Sequence, residues 1–470
     1  MRSLNFSITL LALLVPLLSA VSTYADSVDD FVRAEMSKRH VPGLSLVVIK
    51  DNEIVKSGTY GLANVELNVP VREKTSFEIA SMTKQLTDAA ILLLAEEGKI
   101  HLDDSITKYI NGLPSEWLDI TIRRLMLHTA GIRDDWDEND NFFLTKNSND
   151  EFLRALTPLP LLFKPGEHFS YGCGPFLLGM VIEKVSGTSY SRFMQERIFA
   201  PLGMHDTAVN DVFEIVNGRA SGYVFRDGVL RNGARISATA ESRGDVGVRS
   251  TALDLAKWLN AIDAHQLLKQ SSWNLMFTPG KLNDGTSIPV GFGWFLFPIQ
   301  GDVWKHGGAF RTGFNSSIER YVDDKLAIII LTNLRSGSIA SKIGTGIAGL
   351  YDPIYKSRAE LPPVPDTDPA RSKRLKSLLV SLSTGHPDMD QFAEGFPFDL
   401  YLKKDWEDAG VGKMKSFDFV KCTQISRVPI NFFSVTPKEV CTYKIVGSED
   451  NYMSFVLSSN GKVTYIEPFE

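Results

Sequence analysis

Two apolar hairpin patterns, placed far apart in the chain, constrain the fold more than any other feature. Residues 44–50 (LSLVVIK) and 53–61 (EIVKSGTYG) flank the turn Asp51-Asn52, and residues 314–322 (FNSSIERYV) and 325–333 (KLAIIILTN) flank Asp323-Asp324. Short runs rich in Val, Ile and Tyr around such turn residues read as paired strands. Between the hairpins, residues 82–290 are helical or irregular, with strong helical patterns at Gln85–Glu97, Pro175–Ser186 and Ala252–Ala261. The order predicts an α+β domain whose antiparallel sheet is assembled from both ends, with a large helical insertion and a cleft between the halves. A helical stretch at Ser27–Lys38 precedes the first strand.

The proline-rich stretch Leu361–Pro369 has the composition of an extended linker. It divides a domain over residues 26–355 from a small α+β unit over residues 370–470, the linker itself covering 356–369. The second unit is expected to hold short helices at Ser372–Ser381 and Leu400–Asp408. Four strand-like runs follow: SFDFVKCTQI, EVCTYKIV, YMSFVLS and KVTYIEPF. No catalytic cluster is evident in it. At the other end, Arg2 precedes the apolar run Ile8–Leu18, and small and polar residues lead to Ala25. That is the layout of a cleaved secretory signal over residues 1–25, which implies a secreted or periplasmic protein. The run falls short of the roughly 20 apolar residues a membrane span needs.

Acidic residues number 56 against 50 basic ones, without long runs of either sign, so no basic footprint points to nucleic acid or an anionic membrane. A small-molecule or peptide substrate is expected, with the oligomeric state left open. Only three cysteines occur, Cys173, Cys422 and Cys441, which excludes a disulfide-stapled architecture. Cys422 and Cys441 lie in neighbouring strand-like runs and are placed to pair across a sheet.

Three short segments carry potential chemistry. Ser-x-x-Lys occurs at Ser81, Ser105 and Ser459, so the tetrapeptide alone says little. Ser81, however, directly precedes the helix Gln85–Glu97. Residues three apart on a helix share a face, which sets the Lys84 amine beside the Ser81 hydroxyl. Helix-start N–H groups add positive potential there. A serine hydroxyl becomes a nucleophile when a desolvated lysine or a tyrosinate removes its proton. The plainer alternative is a helix cap beside a solvated lysine. Tyr171 lies in a loop, Phe169–Pro175, that leads into a helix. Bordered by two cations, Lys84 and His306, its phenolate would be favoured and would relay the serine proton. His306-Gly307-Gly308-Ala309 follows a short strand at Asp302–Trp304, and its glycines admit a substrate close to the backbone. The Ser81 and Ala309 amides are the candidate oxyanion donors, with Gly308 and Cys173 lining the site.

Other patterns are weaker. Gly344-Thr345-Gly346-Ile347-Ala348-Gly349 matches a dinucleotide fingerprint, but its strand ends too early, and it reads as helix packing on the sheet. Neither His-Glu-x-x-His nor Gly-x-Ser-x-Gly is present, which removes support for a zinc protease or an α/β-hydrolase.

In these motifs the chain resembles the serine β-lactamase and penicillin-binding-protein superfamily, close to class C β-lactamases and their esterase and D-amino-acid peptidase relatives. The resemblance covers roughly Val28 to Leu350. It includes Val41–Ser45, Phe77–Lys84, Leu125–Gly131, Lys164–Gly166, Pro201–Met204 and Ser250–Leu255. It implies that Ser81 is acylated, that Lys84 and Tyr171 handle its proton, and that His306 stands where a Lys-Thr-Gly lysine is usual. No metal or organic cofactor is implied. Two departures stand out. Cys173 replaces the Asn of Tyr-x-Asn and lacks an amide's paired donor and acceptor, and a histidine's charge fades near neutrality. Both tilt the expectation from β-lactamase toward an esterase-like serine hydrolase. A D-amino-acid peptidase or carboxypeptidase, a β-lactamase, or a non-catalytic binding or sensor protein are the alternatives.

Overall fold

The computed structural model describes residues 27–133, 148–172, 174–237, 243–297, 302–335, 338–356, 361–384, 386–393, 396, 411, 414–425, 436–446 and 451–467. The secretory-signal segment 1–25 and the expected helix Leu400–Asp408 lie outside them.

Helix α1 spans residues 27–39 and leads into β1 (Gly43–Lys50), β2 (Glu53–Asn64) and β3 (Val69–Pro70). Helices α2 (Thr83–Glu96), α3 (Gly174–Ser186) and α4 (Ala252–Asp263) lie in the insertion. The chain then returns through β4 (Val290–Gly291), β5 (Trp294–Phe297), β6 (Val303–Phe310), β7 (Phe314–Tyr321) and β8 (Leu326–Thr332), and α5 (Ile339–Tyr351) follows. The sheet has eight strands in the order β4-β5-β6-β7-β8-β1-β2-β3. Its central seam is the antiparallel pairing of β1 with β8, with Val47 opposite Ile329, which joins the two ends of the domain.

This seam explains why β8 reads as an unbroken apolar run rather than an alternation. Successive side chains point to opposite faces, and both faces are covered. Leu326, Ile328 and Ile330 pack with Val28 and Val32 of α1 and Ile343 and Ile347 of α5. Ala327, Ile329 and Leu331 pack with Leu86 of α2 and Trp258 of α4. The glycines of α5 serve this packing: a Cβ on Gly344 would lie 2.9 Å from the buried Glu319 carboxylate, and one on Gly346 would lie 2.2 Å from the Phe31 ring. Among the described residues, no helix is long and apolar enough to cross a membrane.

Residues 361–368 form neither helix nor strand. Helix α6 (Pro369–Ser383) follows, started by Asp368, whose side chain accepts the Arg371 N–H. Strands β9 (Ser416–Gln424), β10 (Pro437–Val446), β11 (Asn451–Ser458) and β12 (Val463–Glu467) make an antiparallel sheet in chain order. Leu375, Leu379, Tyr443 and Phe455 share a separate core in this region. Cys422 and Cys441 face each other across β9 and β10 and form a disulfide.

Candidate active site

Ser81 sits in a tight turn, Ala80–Met82, between a short strand at Phe77–Glu78 and α2. Ala80 adopts a left-handed φ of 47°, uncommon for a residue with a Cβ and a local strain next to the serine. The turn is tied down on two sides. The Ile79 N–H donates to the Val248 carbonyl at 3.0 Å, and the Ile79 carbonyl accepts from the Ser316 hydroxyl on β7 at 2.8 Å.

Helix α2 is buried from Thr83 to Leu94, so its polar residues need partners. The segment 243–248 partners three of them. Thr83 Oγ1 accepts the Val248 N–H at 3.1 Å, and the Thr87 hydroxyl donates to the Gly244 carbonyl at 2.6 Å. Lys84 Nζ lies 3.1 Å from both Ser81 Oγ and the Asp245 carbonyl oxygen, donating to each. The carbonyl is held in turn by a buried bidentate pair between Arg243 and the Asp245 carboxylate, both contacts 2.9 Å. The Arg243 guanidinium also lies over the Phe152 and Phe176 rings, at 4.1 and 4.6 Å from their centroids. Neither Arg243 nor Asp245 falls in any motif, and sequence reading missed them. Nothing local signals that a carbonyl so distant in sequence would meet Lys84.

One turn behind Lys84, Asp88 is fully buried, and neither carboxylate oxygen has a hydrogen-bond partner among the described residues. Burial pushes its pKa well above the usual range, against the opposing pull of Lys84, so the neutral form is favoured.

Strand β6 forms the opposite wall. The His306-Gly307-Gly308-Ala309 motif was expected to follow a strand ending at Trp304, but it lies inside β6, whose pairing with β7 continues to Phe310. Strand β5 pairs only as far as Lys305, leaving the 306–310 edge without a partner strand among the described residues. The Gly308 carbonyl accepts from Asn315 Nδ2 of β7 at 2.9 Å. Because N–H and C=O of a trans peptide point in opposite directions, the Ala309 N–H is turned toward the open edge. Gly308 lies directly against the Ala80–Met82 turn: a Cβ there would be 3.1 Å from the Ser81 amide nitrogen.

Tyr171 enters from a third direction, with Lys84 Nζ 5.0 Å from the centroid of its ring. Its centroid is 4.5 Å from that of His128, 5.8 Å from Phe295 and 6.2 Å from His306. The Tyr171 side is open to solvent, the residue being 37% exposed. His306 is buried and stacked on Phe295, with centroids 5.6 Å apart and rings 13° from parallel. The expectation of two cations beside the phenol is not met. Burial first, and the Lys84 charge second, lower the His306 pKa to about 3, so the imidazole is neutral at ordinary pH. Cys173, also expected in the site, lies outside the described residues.

The geometry therefore brings a hydroxyl, an amine, a phenol, a neutral imidazole and an outward backbone N–H to one place. A hydroxyl with a hydrogen-bonded amine beside an open strand edge is an arrangement suited to acyl transfer.

Comparison with known proteins agrees with this architecture. The chain is 28% identical over 319 residues to a penicillin-binding protein of Bacillus subtilis (strain 168), a match covering 63% of this chain and 69% of that one. It is 29% identical over 323 residues to protein flp of Staphylococcus aureus (strain MW2), covering 66% of this chain and 63%, just under two thirds, of flp. Among solved structures, a penicillin-binding protein from Bacillus halodurans superposes with a TM-score of 0.60 at 24% identity, covering 68% of this chain and 99% of its own. The octameric penicillin-binding protein homologue from Pyrococcus abyssi gives 0.60 at 23%, covering 93% and 96%. A class C β-lactamase gives 0.59 at 21%, covering 70% and 96%. At these identities the structures speak for the fold. The Beta-lactamase family model matches residues 28–347, and the chain belongs to that family.

Proposed function

We propose that this chain is an exported serine hydrolase that cleaves an ester, or an activated amide, through an acyl-enzyme on Ser81. The observation that carries the reading is the 3.1 Å hydrogen bond from Lys84 Nζ to Ser81 Oγ, at a helix start facing the open edge of β6. Ser81 Oγ attacks the substrate carbonyl carbon, and its proton passes to Lys84 in its neutral amine form or to Tyr171 as the phenolate. The negative oxygen of the tetrahedral intermediate accepts from the Ser81 and Ala309 amides. Collapse breaks the bond to the leaving group, which takes the proton, and the acyl group stays on Ser81. Water then attacks the acyl-enzyme, the acid leaves, and Ser81 recovers a proton.

The neutral His306 favours esters over anionic lactams within this scheme, because an uncharged imidazole gives a substrate carboxylate no ion pair. The replacement of a side-chain amide by Cys173 points the same way. A second reading, hydrolysis of D-amino-acid peptides, is favoured by the likeness to penicillin-binding proteins. Export is proposed from residues 1–25, and mass spectrometry of the mature N-terminus, expected just after Ala25, tests it.

The chemistry is tested with a serine-directed fluorophosphonate followed by mapping of the adduct. Labelling on Ser81, abolished in Ser81→Ala, is expected. An adduct on another serine, or equal ester turnover by Ser81→Ala, would refute the assignment. Turnover of p-nitrophenyl esters, a chromogenic cephalosporin and D-alanyl peptides then separates esterase, β-lactamase and peptidase. Stoichiometric labelling with no product release on any of them would make the chain a binding protein.

A further inference from the structure

His128 follows a short helix, Ile122–Met126, and occupies a left-handed φ of 56° at the head of the turn His128-Thr129-Ala130-Gly131. Along this turn the loop that carries Tyr171 is fastened at successive points. The Leu162 N–H donates to the Gly131 carbonyl at 2.8 Å, the Gly166 N–H to Thr129 at 2.7 Å, and the Ser170 N–H to His128 at 2.9 Å. The Gly172 N–H then donates to His128 Nδ1 at 3.2 Å. One residue thus accepts hydrogen bonds from both neighbours of Tyr171, with its carbonyl on one side and its ring on the other. Its imidazole also lies against the phenol, centroids 4.5 Å apart and planes tilted by 32°, with the Phe169 ring edge-on at 6.2 Å.

From this grip we propose that His128 is the positioning residue of Tyr171, holding the phenol beside Lys84. The inference rests on the reading of Tyr171 as a proton carrier. With 37% of Tyr171 exposed, packing on the solvent side does little to fix the loop, and the clamp from His128 is what orders it. Because the donor to Nδ1 is a backbone N–H, Nδ1 must offer a lone pair, and the ring proton resides on Nε2. Burial, and then the nearby charge of Lys84, disfavour the protonated ring and so favour that neutral, accepting form. A protonated ring would turn a second donor toward the Gly172 N–H and release the loop.

The test measures the rate of Ser81 labelling by a fluorophosphonate, separated into a maximal rate and an apparent affinity, in four variants of the full chain with melting temperatures alongside. His128→Leu removes the acceptor. His128→Asn restores an oxygen near the place of Nδ1 and tolerates the left-handed backbone. Tyr171→Phe removes the phenolic hydroxyl, and the double variant His128→Leu/Tyr171→Phe closes the cycle. His128→Leu is expected to lower the maximal rate by roughly 10²-fold, the loss typical of a displaced catalytic group, with little change in affinity. His128→Asn is expected to recover most of it. His128→Leu should cost nothing further once Tyr171 is Phe, since residues acting as a unit are not additive. If the Leu variant fails to fold, His128→Gln, whose amide reaches past the Nδ1 position, takes its place. Losses that multiply in the double variant, or an Asn variant as slow as Leu, would overturn the inference while leaving Tyr171 in its role. A Tyr171→Phe variant that labels at the native rate would instead bring down the proton-carrier reading and this inference with it.

Discussion

Gly308→Ala tests whether the close approach of β6 to the Ala80–Met82 turn is what the proposed site requires. The added methyl would lie 2.2 Å from the Ile79 carbonyl oxygen, 2.6 Å from Ser316 Oγ and 3.1 Å from the Ser81 amide nitrogen. Ordinary contact begins at 3.4 Å, so the clash with the carbonyl is 3.4 minus 2.2, or 1.2 Å. Ser316 can rotate away only by giving up its bond to that same carbonyl. Relief therefore comes from backbone: β6 retreats, or the Ala80–Met82 turn shifts, and either change separates the Ser81 and Ala309 amides. Overpacking of this kind costs about 1–3 kcal/mol of stability. A displacement near 1 Å at a reacting centre costs roughly 10²-fold in rate, equivalent to about 2.7 kcal/mol of barrier. Gly307→Ala is the internal control, because among the described residues its Cβ would meet only the Ser316 carbonyl oxygen, at 3.5 Å, an ordinary contact. Fluorophosphonate labelling rates and thermal melts of both variants provide the assay. Native labelling by Gly308→Ala, or an equal loss in Gly307→Ala, would refute the reasoning.

Three further outcomes are expected. Asp88 has its pKa raised by burial, so its neutral form costs the native state nothing below the unfolded value of about 3.9 and becomes a growing liability as pH rises and the unfolded chain ionises. Asp88→Asn should therefore raise the melting temperature more at about pH 7 than at about pH 4, by this linkage; the same shift at both would contradict it. Asp245→Ala removes the bidentate partner of a buried guanidinium and should cost about 3–5 kcal/mol in urea denaturation, with a loss below about 1 kcal/mol, the level of an exposed pair, refuting that view. Cys422 and Cys441 close a loop with a sequence separation of 19, so replacing both by Ser should destabilise the C-terminal sheet by about 3 kcal/mol. Limited proteolysis would read this as earlier cleavage after residue 411, with Ser81 labelling unchanged.

Much of the architecture was legible because it rests on short-range pattern. The hairpins around Asp51-Asn52 and Asp323-Asp324 appear as paired strands, since β-branched runs and turn residues encode them locally. Helices α3 and α4 begin and end within two residues of their expected limits for the same reason. Strand β6 was read too short. Its glycines suppress the strand signal, yet they are there because backbone must pass close to Ser81.

The amino-acid sequence by itself determined the sheet built from both ends of the domain and the placing of Ser81 and Lys84 on one face of a helix start, because hydrophobic period and helical spacing act over a few residues. Only the tertiary structure decided that the Asp245 carbonyl meets Lys84, that His128 grips both flanks of Tyr171, and that His306 is neutral rather than a second cation. Those properties come from burial and from contacts between segments far apart in the chain, and desolvation has no signature in local spacing.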